Sequence, residues 1–297
     1  MEDLQDKVAV VTGGASGIGF GLATALLAEG CRVVVADVEE PALEKAVAEL
    51  DAGAPGRVHG VVTDVADLAS VEALAASTLD RFGQVDVLCN NAGVSTFSTI
   101  EHLTIEDWRW VLGVDLWGVI HGVHVFLPVM VRQGTPAHIV STASLAGLLS
   151  GTAQLGPYGV AKVGVVSLSE TLRIELAAAG RPIGVSVLCP GLTNTNILDC
   201  DRNRSSEFGD EVATEAGGTW RESMRAGFTG PTGKEPIEVA GMVVDAIRNN
   251  RFWVISHGDL KDVVDGRFAE IHDETEPLRV LSDAQMLEAG GLQRVRA

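Results

Sequence analysis

Seven short apolar runs, KVAVVTG, CRVVVAD, VHGVVTD, VDVLCNNAG, HIVSTAS, GVSVLCP and FWVISH, recur along the chain with longer stretches of helical character between them. Runs that are mostly apolar throughout, rather than at alternate positions, belong to strands covered on both faces, which is the condition of a parallel sheet. Helices are expected over 17–29, 41–50, 68–82, 104–131, 157–179 and 237–249. The expected fold is therefore α/β: a doubly wound, seven-stranded, mostly parallel sheet with helices on both faces. No change of composition divides the alternation, so residues 1–272 are read as one domain. Two segments break the rhythm. Residues 194–235 are polar with Phe208, Trp220, Met224 and Phe228 interspersed and are expected to form a lid, while 273–297 read as a C-terminal extension.

The first strand runs directly into TGGASGIG, Thr12 to Gly19, which opens the first helix. Glycines at 13, 17 and 19 allow a tight turn and a close approach of backbone to a ligand, and the free N–H groups of the helix start favour a pyrophosphate. The second strand ends at Asp37, where a carboxylate can accept hydrogen bonds from the hydroxyls of an adenosine ribose. Strand, glycine turn, helix, strand and acid arrive in the order a dinucleotide site requires, which outweighs the plainer reading of a solvated strand-end Asp.

Charge narrows the partners. The chain of 297 residues carries 40 acidic and 22 basic side chains, a formal charge of −18, which repels phosphate backbones and anionic membrane surfaces. Neither nucleic acid nor a membrane is expected as a partner. The N-terminus lacks a basic segment followed by a long apolar one, and no later run reads as the ~18 apolar residues of a span, so a cytoplasmic protein is expected. Cys31, Cys89, Cys189 and Cys200 have no CxxC spacing and are read as buried free thiols. His121 and His124 stand three apart on one helix without a third ligand, so no metal is expected.

Tyr158, in GPYGVAK, is the sole tyrosine of the chain, and Lys162 follows it by four residues. Positions four apart share a helix face, so the ammonium can sit beside the phenol. For the phenol to act as a base near neutrality, the phenolate must be favoured by about 4 kcal/mol, much of which a cation must supply.

In combination these motifs resemble the short-chain dehydrogenase/reductase family, in its TGxxxGxG and YxxxK subgroup, over roughly Lys7 to His257. The resemblance implies a Rossmann-like domain that is both dinucleotide-binding and catalytic, and an oxidoreductase interconverting a secondary alcohol and a ketone. It implies catalytic roles for Ser144, Tyr158 and Lys162, with Ser141 as the competing serine. The Ser144-to-Tyr158 spacing is one residue longer than commonly found, so the loop between them is expected to be reshaped. Cofactor contacts are implied at Gly13, Ser16, Gly17, Ile18, Gly19, Asp37, Asp64, Val65, Asn90, Ala92, Gly93, Tyr158, Lys162, Pro190, Gly191, Thr193 and Thr195. NAD is the expected cofactor, because Asp37 would face the extra phosphate of NADP and the following Val38, Glu39 and Glu40 supply no cation.

One departure stands out. Where the family has an Asn that supports a water-linked proton path, this chain has Asp115. Ionised beside Lys162, it would offset the cation and oppose the lowering of the tyrosine pKa; if the water is held mainly by a backbone carbonyl, little changes, and an Asp facing elsewhere would do nothing. Asp115 is also the one feature favouring an alternative reading, a catalytically weak regulatory or scaffolding protein of the same fold. The helix over 104–131 is apolar around most of its circumference, which together with the family habit implies a homodimer or homotetramer. Phe97, the LAGLLSG loop and the aromatic lid residues favour a hydrophobic or aryl-bearing alcohol or ketone. The N-terminal segment and the C-terminal arrangement are similar to those of bacterial dehydrogenases of lignin-derived aryl ethers; steroids, fatty alcohols and terpenoids stay open.

Overall fold

The computed structural model describes residues 1–149, 152–209, 214–258 and 261–276. The N-terminal half alternates strand and helix: β1 (Val8–Thr12), α1 (Gly17–Ala28), β2 (Arg32–Asp37), α2 (Glu40–Gly53), β3 (Val58–Val62), α3 (Leu68–Phe82) and β4 (Val87–Asn90). Then come α4 (Ile105–Leu112), a π-helical turn over Gly113–Trp117, α5 (Gly118–Gln133), β5 (Ala137–Thr142), α6 (Leu145–Leu149), α7 (Gly156–Ala178) and β6 (Ile183–Cys189). After 3-10 turns over Ile197–Asn203 and Ser206–Phe208 follow α8 (Glu215–Thr229), α9 (Pro236–Arg248), β7 (Trp253–Ile255) and α10 (Lys261–His272). The strands form one sheet in the order β3-β2-β1-β4-β5-β6-β7, every pairing parallel.

Period-two alternation explains why the strands read as continuously apolar. Val11, Val33, Val35, Val87 and Cys89 point into a core shared with α1, α2 and α9. Their neighbours Val10, Val34, Ala36 and Leu88 point into the opposite core, built with α3, α5 and α7. Local signals set the helix ends. Asp67 accepts from Ala69 N at 3.1 Å to start α3, Thr104 and Asp107 form a capping box on α4, and Gly134, at φ 66°, stops α5.

The expected helix over 104–131 is one rod, Ile105–Gln133, long and apolar enough by length and composition to cross a membrane. This corrects the expectation that no run of that length occurs. The rod's inner stripe, Val111, Val119, Phe126 and Met130, is buried in the protein, and Trp117 lies on its outer stripe, 53% exposed. The four cysteines are free and buried, as expected. Among the described residues α6, α8, α10, the π turn and the 3-10 turns are not anticipated by the sequence. Of the expected C-terminal extension, residues 277–297 lie outside the described residues, as do Ser150 and Gly151 of the LAGLLSG loop.

The strand order reverses between β1 and β4. At such a switch point the connections leave to opposite sides and open a crevice beyond the strand C-termini, and both cavities described next lie there.

Candidate functional site

A cleft of about 570 Å³ runs over the ends of β1, β2, β4 and β5, and an apolar chamber of about 190 Å³ adjoins it. Gly13, Ser16, Gly17 and Ile18 form one wall of the cleft. Gly13 (φ 61°) and Gly17 (φ 52°) occupy the left-handed region, and a Cβ on Gly13 would stand 2.8 Å from Ala92 Cα. Gly19 is not in the wall; it packs behind the turn, where a Cβ would meet Gly13 O at 2.0 Å. Thr12 ties the two loops together, its Oγ1 accepting from Asn91 N at 2.9 Å and Ala92 N at 3.1 Å. Asp37 lies in the cleft wall, Oδ2 accepting from Ala15 N at 3.0 Å and Oδ1 from Glu39 N at 3.1 Å. Its burial raises the carboxyl above the ordinary range against those two bonds. Asp64, Val65, Ala92 and Gly93 line the cleft as well. Close-approach glycines, helix-start N–H groups and a strand-end acid in one elongated crevice fit a dinucleotide.

Asn90 and Asn91 exchange expectations. Asn91 lines the cleft, whereas Asn90, the last residue of β4, is buried toward α5, where a Cβ on Gly122 would come 2.0 Å from its Oδ1. Successive strand residues face opposite sides, so only one of an Asn pair can reach the crevice.

Tyr158 and Lys162 lie on the first turns of α7. Lys162 Nζ donates to Thr142 O at 3.0 Å and stands 5.3 Å from the Tyr158 ring centre. The π turn carries Asp115 inward to complete burial. Its Oδ1 accepts from Val94 N at 2.7 Å, and its Oδ2 lies 3.0 Å from Lys162 Nζ, an ion pair rather than an aligned hydrogen bond. Asp115 thus faces the lysine, and the reading in which it points elsewhere is set aside. Burial raises its carboxyl more than Lys162 and the Val94 N–H lower it. Burial lowers the lysine, but the Asp115 and Tyr158 charges outweigh this and hold Lys162 above its ordinary value.

For Tyr158, burial raises the phenol most, Lys162 lowers it, Asp115 raises it, and a hydrogen bond with Ser144 lowers it; the balance is upward. Lys162 acts in the expected direction, but burial, with Asp115 adding to it, outweighs the lysine, which by itself does not bring Tyr158 below its ordinary value.

Ser144 lines the apolar chamber beside Tyr158, its Oγ accepting from Ala146 N at 3.1 Å, whereas Ser141 is buried within β5. Between Ser144 and Tyr158 the chain makes α6 and places Gln154 at φ 65°. Pro190 and Thr195 border both cavities, while Gly191 and Thr193 line only the chamber. The segment between β6 and α9 supplies Leu198, Trp220, Met224 and Phe228 to the chamber, with Trp220 stacked on Phe97 at 5.1 Å. Phe208 packs on the cleft side with Trp110 and Tyr158. Arg204 ties this segment to α4: it pairs with Asp107 at 2.6 Å, both side chains buried, donates to Phe208 O at 2.7 Å, and lies over Trp110. The Cys200 thiol, pushed up to about 12 chiefly by burial, is a packing contact rather than a nucleophile.

His257 also escaped the sequence reading. It lines the chamber, bonded to Ser256 Oγ at 2.7 Å and Thr232 O at 3.0 Å, and Ser256 Oγ accepts from Gly191 N at 3.0 Å. His121 bonds Val65 O at 2.9 Å. Among the described residues no group of three His, Cys, Asp or Glu could hold a metal.

At Tyr158 the cleft that fits a dinucleotide meets the apolar chamber; the protein is an oxidoreductase. The chain belongs to the short-chain dehydrogenase family, whose model matches residues 7–205. It is 38% identical to the C alpha-dehydrogenase of Sphingobium sp. strain SYK-6, covering 100% of this chain and 93% of that protein. It is 32% identical to the 1-deoxy-11-beta-hydroxypentalenate dehydrogenase of Streptomyces exfoliatus, over 90% of this chain and 89% of the other. A crystal structure of a short-chain dehydrogenase/reductase from Burkholderia phymatum in complex with NAD superposes with a TM-score of 0.90 at 40% identity, covering 95% of this chain and 100% of that one.

Proposed function

We propose that the protein is an NAD-dependent oxidoreductase interconverting a secondary alcohol and a ketone whose substituent is hydrophobic or aryl. The observation that carries this reading is that Tyr158 borders both cavities, with Lys162 on the cleft side and Ser144 on the chamber side. The similar proteins that act as dehydrogenases, and the similar structure in complex with NAD, support it. Residues 1–272 act in this reading as one catalytic domain, with 194–235 as the lid over the substrate.

A bound nicotinamide would accept the hydride in oxidation and return it in reduction. In the oxidative direction Tyr158 takes the hydroxyl proton while Ser144 holds the substrate oxygen. Lys162 has three donors: one is given to Thr142 O, one faces Asp115, and the third serves the cofactor ribose. Its charge and that of the oxidised nicotinamide together offset the burial that raises the phenol. The apolar chamber walls exclude water and receive the substituent. The test is a panel of secondary alcohols with NAD, followed by NADH absorbance. Turnover supports the reading; intact NAD binding without turnover on any alcohol favours the scaffolding alternative.

Ile105, Trp117, Val160 and Ile174 are large, apolar and exposed on α4, the π turn and α7, which supports pairing of copies through these helices in a cytoplasmic homodimer or homotetramer.

Replacing Asp115 separates its two effects. Its carboxylate raises the Tyr158 pKa, so Asp115→Asn should bring the phenol down and move the limb of the oxidation pH-rate profile that rises with Tyr158 deprotonation to lower pH. Superimposable profiles remove Asp115 from the proton chemistry.

Asp37→Ala should narrow the preference for NAD over NADP in kcat/KM by about tenfold, the scale of one good hydrogen-bonded contact to a charged group. It should also weaken NAD, since Ala15 N loses its acceptor. An unchanged ratio would take Asp37 away from the ribose.

A further inference from the structure

The acidic turn after β2 contains no basic residue, yet the fold delivers one to it from the lid. Arg202 Nη2 lies 2.7 Å from Glu39 Oε1, and its Nε donates to Oε2 at 3.3 Å. Asn203 Nδ2 donates to the same Oε1 at 2.8 Å. Glu39 is two residues past Asp37, and its main-chain N–H is bonded to the Asp37 carboxylate. Asp37, Val38, Glu39, Arg202 and Asn203 all line the one cleft.

We infer that Glu39 is a second determinant of dinucleotide choice, acting by occupying the Arg202 and Asn203 donors that would otherwise receive a 2′-phosphate. This rests on the NAD reading above and names the residues that enforce it. The guanidinium is fixed by its own lid: Nη1 donates to Asp199 O at 2.7 Å and Asn196 O at 3.3 Å. Removing Glu39 therefore leaves Arg202 in place with its Nε and Nη2 edge open. That edge is the two-pronged face that carboxylates and phosphates share as a binding partner. Neighbouring acids do not compete for it, because Asp199 pairs with Arg225 at 2.7 Å and Asp201 lies toward Arg221. The Glu39 carboxyl is raised by burial, but the Arg202 and Asn203 bonds outweigh this and hold it below the ordinary range, so it stays charged and opposes a second anion. With Arg202 38% and Glu39 28% exposed, water replaces the lost contact at little structural cost.

The test is the dissociation constant of NAD and of NADP, each measured by calorimetry on the cofactor-free protein without substrate. The variants are Glu39→Ala, Arg202→Met and the double variant. Glu39→Ala should reduce the NADP-to-NAD ratio of dissociation constants about tenfold, and Arg202→Met added to it should restore the wild-type ratio. Glu39→Gln, which keeps the side-chain volume and removes the charge, should narrow the ratio in the same direction and serves if the alanine variant misfolds. An unchanged ratio in Glu39→Ala and Glu39→Gln, or a narrowing that survives in the double variant, overturns the inference. The wild-type ratio is a separate readout: tighter NADP binding there overturns the NAD reading, while the differences among variants still judge Glu39.

Discussion

Tyr158→Phe is expected to reduce kcat by about a thousandfold or more while the dissociation constant for NAD changes less than about twofold, within the range that a positioned acid or base contributes. The phenol borders both cavities, with Lys162 on the cleft side and Ser144 on the chamber side, and the lost hydroxyl leaves no titratable group in its place. Phenylalanine keeps the ring that packs with Phe208 and Trp220, which confines the change to the proton. Single-turnover formation of NADH, paired with a binding isotherm, measures both quantities. Activity within tenfold of wild type would overturn the role given to Tyr158.

Lys162→Met is expected to have the largest effect on the fold, destabilising it by about 3–5 kcal/mol, the cost of stripping one partner from a buried ion pair. Asp115 would keep only the Val94 N–H, and Thr142 O would lose its donor. The pair lies between α7 and the π turn, with no water-accessible retreat, since both side chains are at most 3% exposed. Adding Asp115→Leu removes the stranded charge and should recover much of the loss in chemical denaturation. Neither variant should recover turnover, and both should bind NAD more weakly, because the ribose loses its ammonium. A variant with full stability and a purely kinetic defect would separate Lys162 from the ribose and from Asp115 alike.

What could be read in the sequence was what is local. Each strand declares itself within six or seven residues, the glycine turn within eight, and the Tyr158–Lys162 pair within one helical turn. The aromatic lid residues were legible as a group, and the chamber gathers Trp220, Met224 and Phe228 with Phe97. Contacts across long separations left no such trace. Glu39 and Asn203 are 164 positions apart, Arg204 and Asp107 are 97 apart, and neither pair has a spacing that links it. The NNAG motif marks a stretch of chain, whereas the pleat decides that Asn91 rather than Asn90 faces the crevice. Asp115 was recognised as a departure, but its aim depends on a π turn that no periodicity announced.

That turn makes the rod from Ile105 to Gln133 a helix in two phases. An α-helix winds about 100° per residue, and a π turn takes in one residue more than regular winding allows. Asp115 can therefore point at Lys162 while Phe126 and Met130, a few turns on, are still directed into the core. Deleting one residue between Gly113 and Trp117 would restore uniform winding and leave Phe126 and Met130 directed into the core, but it would remove the extra residue that lets Asp115 face Lys162. One residue of length is stored in the bulge: losing it would cost the aim of Asp115 and spare the packing of the helix beyond.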